Sequence, residues 1–159
     1  MMEEREEIPA DSKGLFPLAT KEPETRAMRF NKEKPVIFLT SRVHPGETPG
    51  SFVLNGLLDL LTDIKSEQGR LLRKHFVFKV IPILNPDGCS RGYYRLDSAA
   101  YNLNRFYLNP SKQDHPTIWA AKKAIIQQSE QYQGLLMYVD FHAHASKKGG
   151  FMFGNHMTD

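Results

Sequence analysis

The sequence predicts an α/β domain, a mainly parallel or mixed sheet flanked by helices. Three observations carry that expectation. Runs of β-branched, aromatic and other apolar residues recur at 36–39, 76–84 and 135–141. Stretches with apolar residues at helical spacing separate them, and a chain of 159 residues without internal repeats has the length of one domain. A mixture of 40% hydrophobic and 25% charged residues is that of a globular protein, which excludes collagen-like, low-complexity and fully disordered classes.

Residues 1–34 are poor in apolar side chains, carry charges of both signs and contain Pro9, Pro17 and Pro23. They read as a loosely ordered lead-in with one edge strand around Ala27–Phe30. Residues 35–159 form the domain proper. Val36-Ile37-Phe38-Leu39 has the texture of a strand buried on both faces. After His44-Pro45-Gly46-Glu47 a helix starts near Thr48 or Pro49, because proline suits a first helical turn. Its expected inward stripe is Phe52, Val53, Leu57, Leu60 and Leu61. Phe76–Leu84 reads as a second buried strand, closed by Asn85-Pro86-Asp87-Gly88, whose residue types favour a tight turn. Residues 89–114 lack periodicity and read as an ordered loop. Pro116 to about Tyr132 is the next helix, with Ile118, Trp119, Ala121, Ile125 and Ile126 inward. Leu135–Phe141 is a third strand, and Gly150–Phe153 a short fourth.

No apolar run approaches the roughly 20 residues that cross a bilayer, and the acidic start (Glu3, Glu4, Glu6, Glu7) is unlike a secretory signal, so no membrane partner is expected. The balance of 21 basic and 18 acidic residues, net +3, is too small and too scattered for a nucleic-acid surface. The lone Cys89 has no second cysteine to pair with, which suits a reducing compartment, and nothing marks it as catalytic.

In open α/β sheets, ligands bind beyond the carboxyl ends of the strands. The first strand runs into Ser41-Arg42-Val43-His44-Pro45-Gly46-Glu47, and the third runs through Val139-Asp140-Phe141 into His142-Ala143-His144. A parallel sheet puts both segments on one rim. Two imidazoles and a carboxylate are the donors a catalytic zinc takes, with a fourth position left open for water. Taken alone, H-x-x-E is also the pattern of a surface turn; the strand-terminal His142 on the same rim is what favours a metal. His142 is preferred to His144, because a fourth protein ligand would close the open position. Asp140 could accept from the second nitrogen of a metal-bound histidine, or serve backbone donors at the core edge. In the loop 91–105, Arg95 and Arg105 suit a substrate with a free carboxylate and a polarised carbonyl, since guanidinium binds carboxylates through paired hydrogen bonds. The plain alternative is solvated loop charge.

Together the segments SRVHPGETP (41–49), LNPDG (84–88), RGYYR (91–95), NLNR (102–105) and VDFHAHASKKGGFMFGN (139–155) resemble the zinc carboxypeptidases of the M14 type. The likeness is greatest to the cytosolic branch that trims tubulin tails, in particular the one that includes cytosolic carboxypeptidase 5. The resemblance implies a zinc-carboxypeptidase, phosphorylase/hydrolase-like fold and one zinc ion held by His44, Glu47 and His142. It makes Arg95 the group that polarises the scissile carbonyl and holds the oxyanion. Asn104 and Arg105 become the clamp on the substrate's terminal carboxylate, and a metal-activated water the nucleophile. It further implies acidic, tubulin-like protein tails as partners, removal of glutamate, a cytoplasmic location and cytoskeletal association. Lys147 and Lys148 are compatible with an acidic substrate.

The resemblance places the family's proton-accepting glutamate well downstream of the third ligand. Glu67, Glu130 and the glutamates before Val36 match nothing in that role. Residues 35–159 therefore correspond to the amino-terminal part of such a catalytic domain, the lead-in to a remnant of the region before it. The chain by itself is expected to be inactive or severely impaired, with an exposed sheet edge and apolar surface. Two other readings stand beside this one: an aspartoacylase-like zinc amidohydrolase, and a zinc- or acidic-tail-binding module without hydrolysis.

Overall fold

A computed structural model describes residues 4–5, 29–30, 33–130 and 133–155. Most of the lead-in, including Ala27 and Met28, lies outside the described residues. Strands β1 (Glu4–Arg5) and β2 (Arg29–Phe30) pair antiparallel, with Glu4 opposite Phe30.

The main sheet has three strands, β3 (Val36–Ser41), β4 (Val77–Ile81) and β5 (Leu135–Phe141), in the order β4-β3-β5 and all parallel. Every residue of the central β3 is buried, as an apolar run with no polar alternation predicts. Two crossovers complete the layers. Helices α1 (Thr48–Thr62) and α2 (Glu67–His75) join β3 to β4. The one-turn α3 (Pro86–Ser90), a long loop with a 3-10 turn at Leu103–Arg105, and α4 (Pro116–Ser129) join β4 to β5.

Alternation along the strands divides the core between the two faces of the sheet. Ile37 and Leu39 pack with Leu54 of α1, with Phe78 and Val80 of β4, and with Val139 and Phe141 of β5. The second cluster gathers Val43, Leu84, Leu103, Ile118 and Ala121, with Ile81 and Tyr107 against it. The polar 89–114 loop is thereby anchored through Leu103, although it has little regular structure.

Several expectations need correction. In α1 the inward positions are Gly50, Leu54 and Leu61. Phe52 and Val53 face outward at 77% and 59% exposure, Leu60 is exposed as well, and Leu57 is half-buried. The first turn sets this rotation: a Cβ on Gly50 would stand 2.8 Å from the Phe141 carbonyl, so the helix approaches the sheet through its glycine side. The second strand stops at Ile81, where Pro82 can no longer donate to the ladder. Asn85-Pro86-Asp87-Gly88 opens a helical turn: Asn85 Oδ1 accepts from Gly88 N–H at 2.9 Å, and proline takes the first helical position. Helix α4 ends at Ser129, buries Gln128 together with Ile118 and Ala121, and leaves Ile126 exposed; Tyr132 is not described. Gly150–Phe153 forms no strand and is exposed, with Met152 at 95%. Leu136 and Met137 on the edge strand β5 are exposed too. Among the described residues, no helix is long and apolar enough to cross a membrane.

Candidate metal centre

The loop after β3 is held from several sides before any ligand binds. Arg42 takes the left-handed region, with φ 58°, which costs a non-glycine residue about 1–3 kcal/mol. Its guanidinium compensates by donating to the Pro45 carbonyl at 3.0 and 2.6 Å and to Ser51 Oγ at 2.9 Å. The backbone N–H groups of Leu84 and Asn85 donate to the carbonyls of Ser41 and Arg42 at 2.9 and 3.1 Å, so the segment after β4 splints the end of β3. Gly46 N–H donates to the Tyr94 carbonyl at 2.8 Å, and a Cβ at Gly46 would lie 2.7 Å from that oxygen. Only glycine allows the 91–95 loop to come this close.

On that frame His44, Glu47 and His142 converge, with one donor atom from each within 4.8 Å of the others. Glu47 Oε1 lies 2.7 Å from His44 Nδ1, and Oε2 lies 2.9 Å from His142 Nδ1. The Ala143 N–H also donates to Oε2, at 2.7 Å. The imidazoles meet edge to face, their centroids 5.2 Å apart. Partial burial pushes the Glu47 carboxyl up, but the Ala143 N–H, the charges of His142 and His44 and the His44 hydrogen bond outweigh it and hold the group below its usual range.

Both Nδ1 atoms face the carboxylate, so both Nε2 atoms face away and need partners of their own. His44 Nε2 lies 3.0 Å from Asn102 Oδ1, and His142 Nε2 lies 2.9 Å from Asp140 Oδ2. Outer acceptors of this kind fix the tautomer that leaves Nδ1 free to bind a cation. The hydrogen bond to Asp140 raises the His142 imidazole above its ordinary pKa; partial burial opposes the rise, and the charges of Asp140 and Glu47 add to it. Two imidazole nitrogens and one carboxylate, backed by their own acceptors, form a donor set that fits one zinc ion with a position open to solvent.

Three of the remaining sequence candidates follow residues that are tied to this cluster, and the others lie outside it. Asn104 and Arg105 lie on the 3-10 turn that begins directly after Asn102, the partner of His44. Arg95 follows Tyr94, whose carbonyl holds Gly46. His144 stays outside the donor set: its Nδ1 accepts from the N–H groups of Ser146 and Lys147 at 3.3 Å, and its ring abuts Phe151. Lys147 lies over the rings of Phe151 and Phe153. Asp140 makes the side-chain bond to His142. Cys89 is half-buried and free. Sequence reasoning missed Asn102, although it stands inside NLNR, and missed the bracing role of Arg42, for which no local signal exists. It also missed Thr40, Tyr107 and Tyr138, which surround Asp140. The period-2 spacing of Tyr138 and Asp140 on β5 with His142, the residue just after it, was the available clue.

A strand-end His-Glu-His cluster on a parallel sheet, with an arginine-bearing turn next to the partner of His44, is a donor set suited to a metal ion. Residues 18–135 match the zinc carboxypeptidase family, and the chain belongs to it. It is 46% identical over 133 residues to cytosolic carboxypeptidase 6 of Mus musculus, covering 83% of this chain and 24% of that protein. To cytosolic carboxypeptidase-like protein 5 of Danio rerio it is 50% identical over 127 residues, covering 79% of this chain and 13% of the relative. The chain thus spans about a quarter or less of the length of these curated relatives. Among solved structures, a putative carboxypeptidase A from Shewanella denitrificans superposes with a TM-score of 0.66 and 29% identity, over 75% of this chain and 32% of that one. A metallo-carboxypeptidase from Pseudomonas aeruginosa shares the fold, with a TM-score of 0.64 at 22% identity over 75% of this chain and 32% of that one.

Proposed function

We propose that these residues form the metal-binding half of a carboxypeptidase site that removes carboxy-terminal residues, glutamate foremost, from acidic protein tails such as those of polyglutamylated tubulin. The observation that carries the reading is the convergence of His44, Glu47 and His142 beside the turn bearing Asn104 and Arg105. Zinc would supply a Lewis acid that polarises a carbonyl and lowers the pKa of water. Everything else falls to the chain. Glu47, below its usual pKa, stays an anion that draws a cation between the two imidazoles. Asn104 and Arg105 grip a terminal carboxylate, the arginine through paired hydrogen bonds, which is how an exopeptidase recognises a chain end. Arg95 donates to the oxygen on which negative charge develops. Residues 35–159 are then the amino-terminal part of the catalytic domain.

Among the described residues, no glutamate other than Glu47 contacts His44 or His142, which supports a chain that binds rather than turns over substrate by itself. Turnover by these 159 residues alone is not expected. The relatives named cytosolic support a cytoplasmic setting, and a tubulin-like substrate would bring the protein to the cytoskeleton. The test has two arms. This chain, loaded with zinc, should retain a peptide ending in glutamate and release its carboxy-terminal amide, and Arg105→Ala should abolish the difference. A full-length protein containing the chain should shorten glutamate-ended peptides from the carboxyl end. Cleavage of N-acyl amino acids alone would assign an aspartoacylase-like activity instead. Retention by the full-length protein without shortening would leave a binding module.

A further inference from the structure

Asp140 is the common acceptor of a chain of hydroxyl groups behind His142, on the side away from Glu47. Thr40 and Asp140 are direct neighbours across β3 and β5, and Thr40 Oγ1 donates to Asp140 Oδ1 at 2.8 Å. Tyr107 OH reaches Asp140 Oδ2 at 3.5 Å, the oxygen that also accepts from His142 Nε2. Tyr138 OH stands 2.9 Å from Thr40 Oγ1 and 3.3 Å from Tyr107 OH. Each hydroxyl has one proton. With those of Thr40 and Tyr107 given to Asp140, the Tyr138 proton goes to one of the two hydroxyl oxygens, and every donor points directly or indirectly at the carboxylate. A carboxylate oxygen accepts, so Nε2 of His142 donates to Asp140, and Nδ1, turned toward Glu47, is the ring nitrogen left on the side of the donor cluster.

We propose that Thr40, Tyr107 and Tyr138 are positioning residues of the metal centre, fixing Asp140 so that it presents His142 with Nδ1 toward the metal. The inference rests on the metal-centre reading of His44, Glu47 and His142. The need for such a brace is visible in the exposure of the two histidines. The His142 side chain is 31% exposed and that of His44 4%, so packing cannot orient His142 as it does His44. The brace is built from β3 and β5 themselves and from the 89–114 loop that carries Asn102, and so ties the loop to the third ligand as well as to the first.

The test uses the 159-residue chain with Thr40→Val, Tyr107→Phe and Tyr138→Phe, which remove hydroxyl groups at nearly constant shape, and Thr40→Ser as the conservative rescue. Zinc affinity is measured by competition with a chromophoric chelator, and the hydrogen bond from His142 Nε2–H to Asp140 by nitrogen-15 NMR in the metal-free state. Thr40→Val should weaken zinc binding about 10-fold, because it deletes a bond to an ionised group, and each tyrosine variant about 5-fold or less. All three should reduce the Nε2–H signature of His142, while Thr40→Ser restores both. Unchanged affinity together with an unchanged ring signature overturns the proposal. So does weaker binding with the ring signature intact, which would be a general loss of structure. If the parent chain takes up no zinc, the metal-centre reading itself fails. The ring signature of the metal-free variants then still decides whether the three hydroxyls position His142.

Discussion

The two histidines of the candidate centre face the same carboxylate and are held there by opposite means. His44 is buried, its Nε2 meets a neutral amide oxygen, and its loop is clamped by Arg42, Asn85 and the close approach at Gly46. His142 leaves the end of an edge strand half open to solvent, and its Nε2 meets a carboxylate backed by three hydroxyls. Where packing is dense, a weak outer partner suffices. Where it is sparse, a charged hydrogen bond, stronger than a neutral one, takes its place.

The largest effects should come from the ligands themselves. His44→Ala and His142→Ala should each abolish stoichiometric zinc, as read by elemental analysis. The comparison lies in their melting temperatures: the buried residue should lower that of the metal-free chain by several degrees, the exposed one by less. Next come the outer partners. Asp140→Ala should weaken zinc binding by about 10–100-fold, and Asn102→Ala by about 10-fold, within the range typical of outer partners of metal ligands. Equal losses would mean that the two histidines are held alike. Gly46→Ala probes the packed side alone. It forces a methyl group into the Tyr94 carbonyl and should cost about 1–3 kcal/mol in denaturant unfolding.

The pH dependence is gentler. The His142 pKa lies above its ordinary value, and the proton must leave before a metal can bind. Zinc uptake should therefore fall on acidification, and the fall should begin at a pH above the usual histidine range. A decline that starts only well below it would mean that Asp140 does not govern the imidazole.

Much of this was legible in the sequence because the signals were local or repeated. The apolar runs at 36–39 and 135–141 read as strands from their residue types alone, and strand-end chemistry follows from a parallel sheet. The rotation of α1 was not legible. Phe52 looks like a core residue until Gly50 is seen against Phe141, a contact 91 residues away in the chain. Phe52→Ser should accordingly change stability by no more than about 0.5 kcal/mol, the smallest effect expected, whereas Leu54→Ala should cost about 2–5 kcal/mol. Arg42 and Thr40 escaped for the same reason: their roles exist only once β3 has β4 and β5 beside it. Gly150–Phe153 has the residue types of a strand, but no described strand lies beside it, so propensity alone misled.

The most direct measurement is X-ray absorption at the zinc edge of the chain loaded with one equivalent of metal. Two imidazole nitrogens and a carboxylate oxygen, all at about 2.0–2.2 Å, with one imidazole lost in His142→Ala, is the expected result. Substoichiometric zinc, or a coordination shell without imidazole that the substitution leaves unchanged, would contradict it.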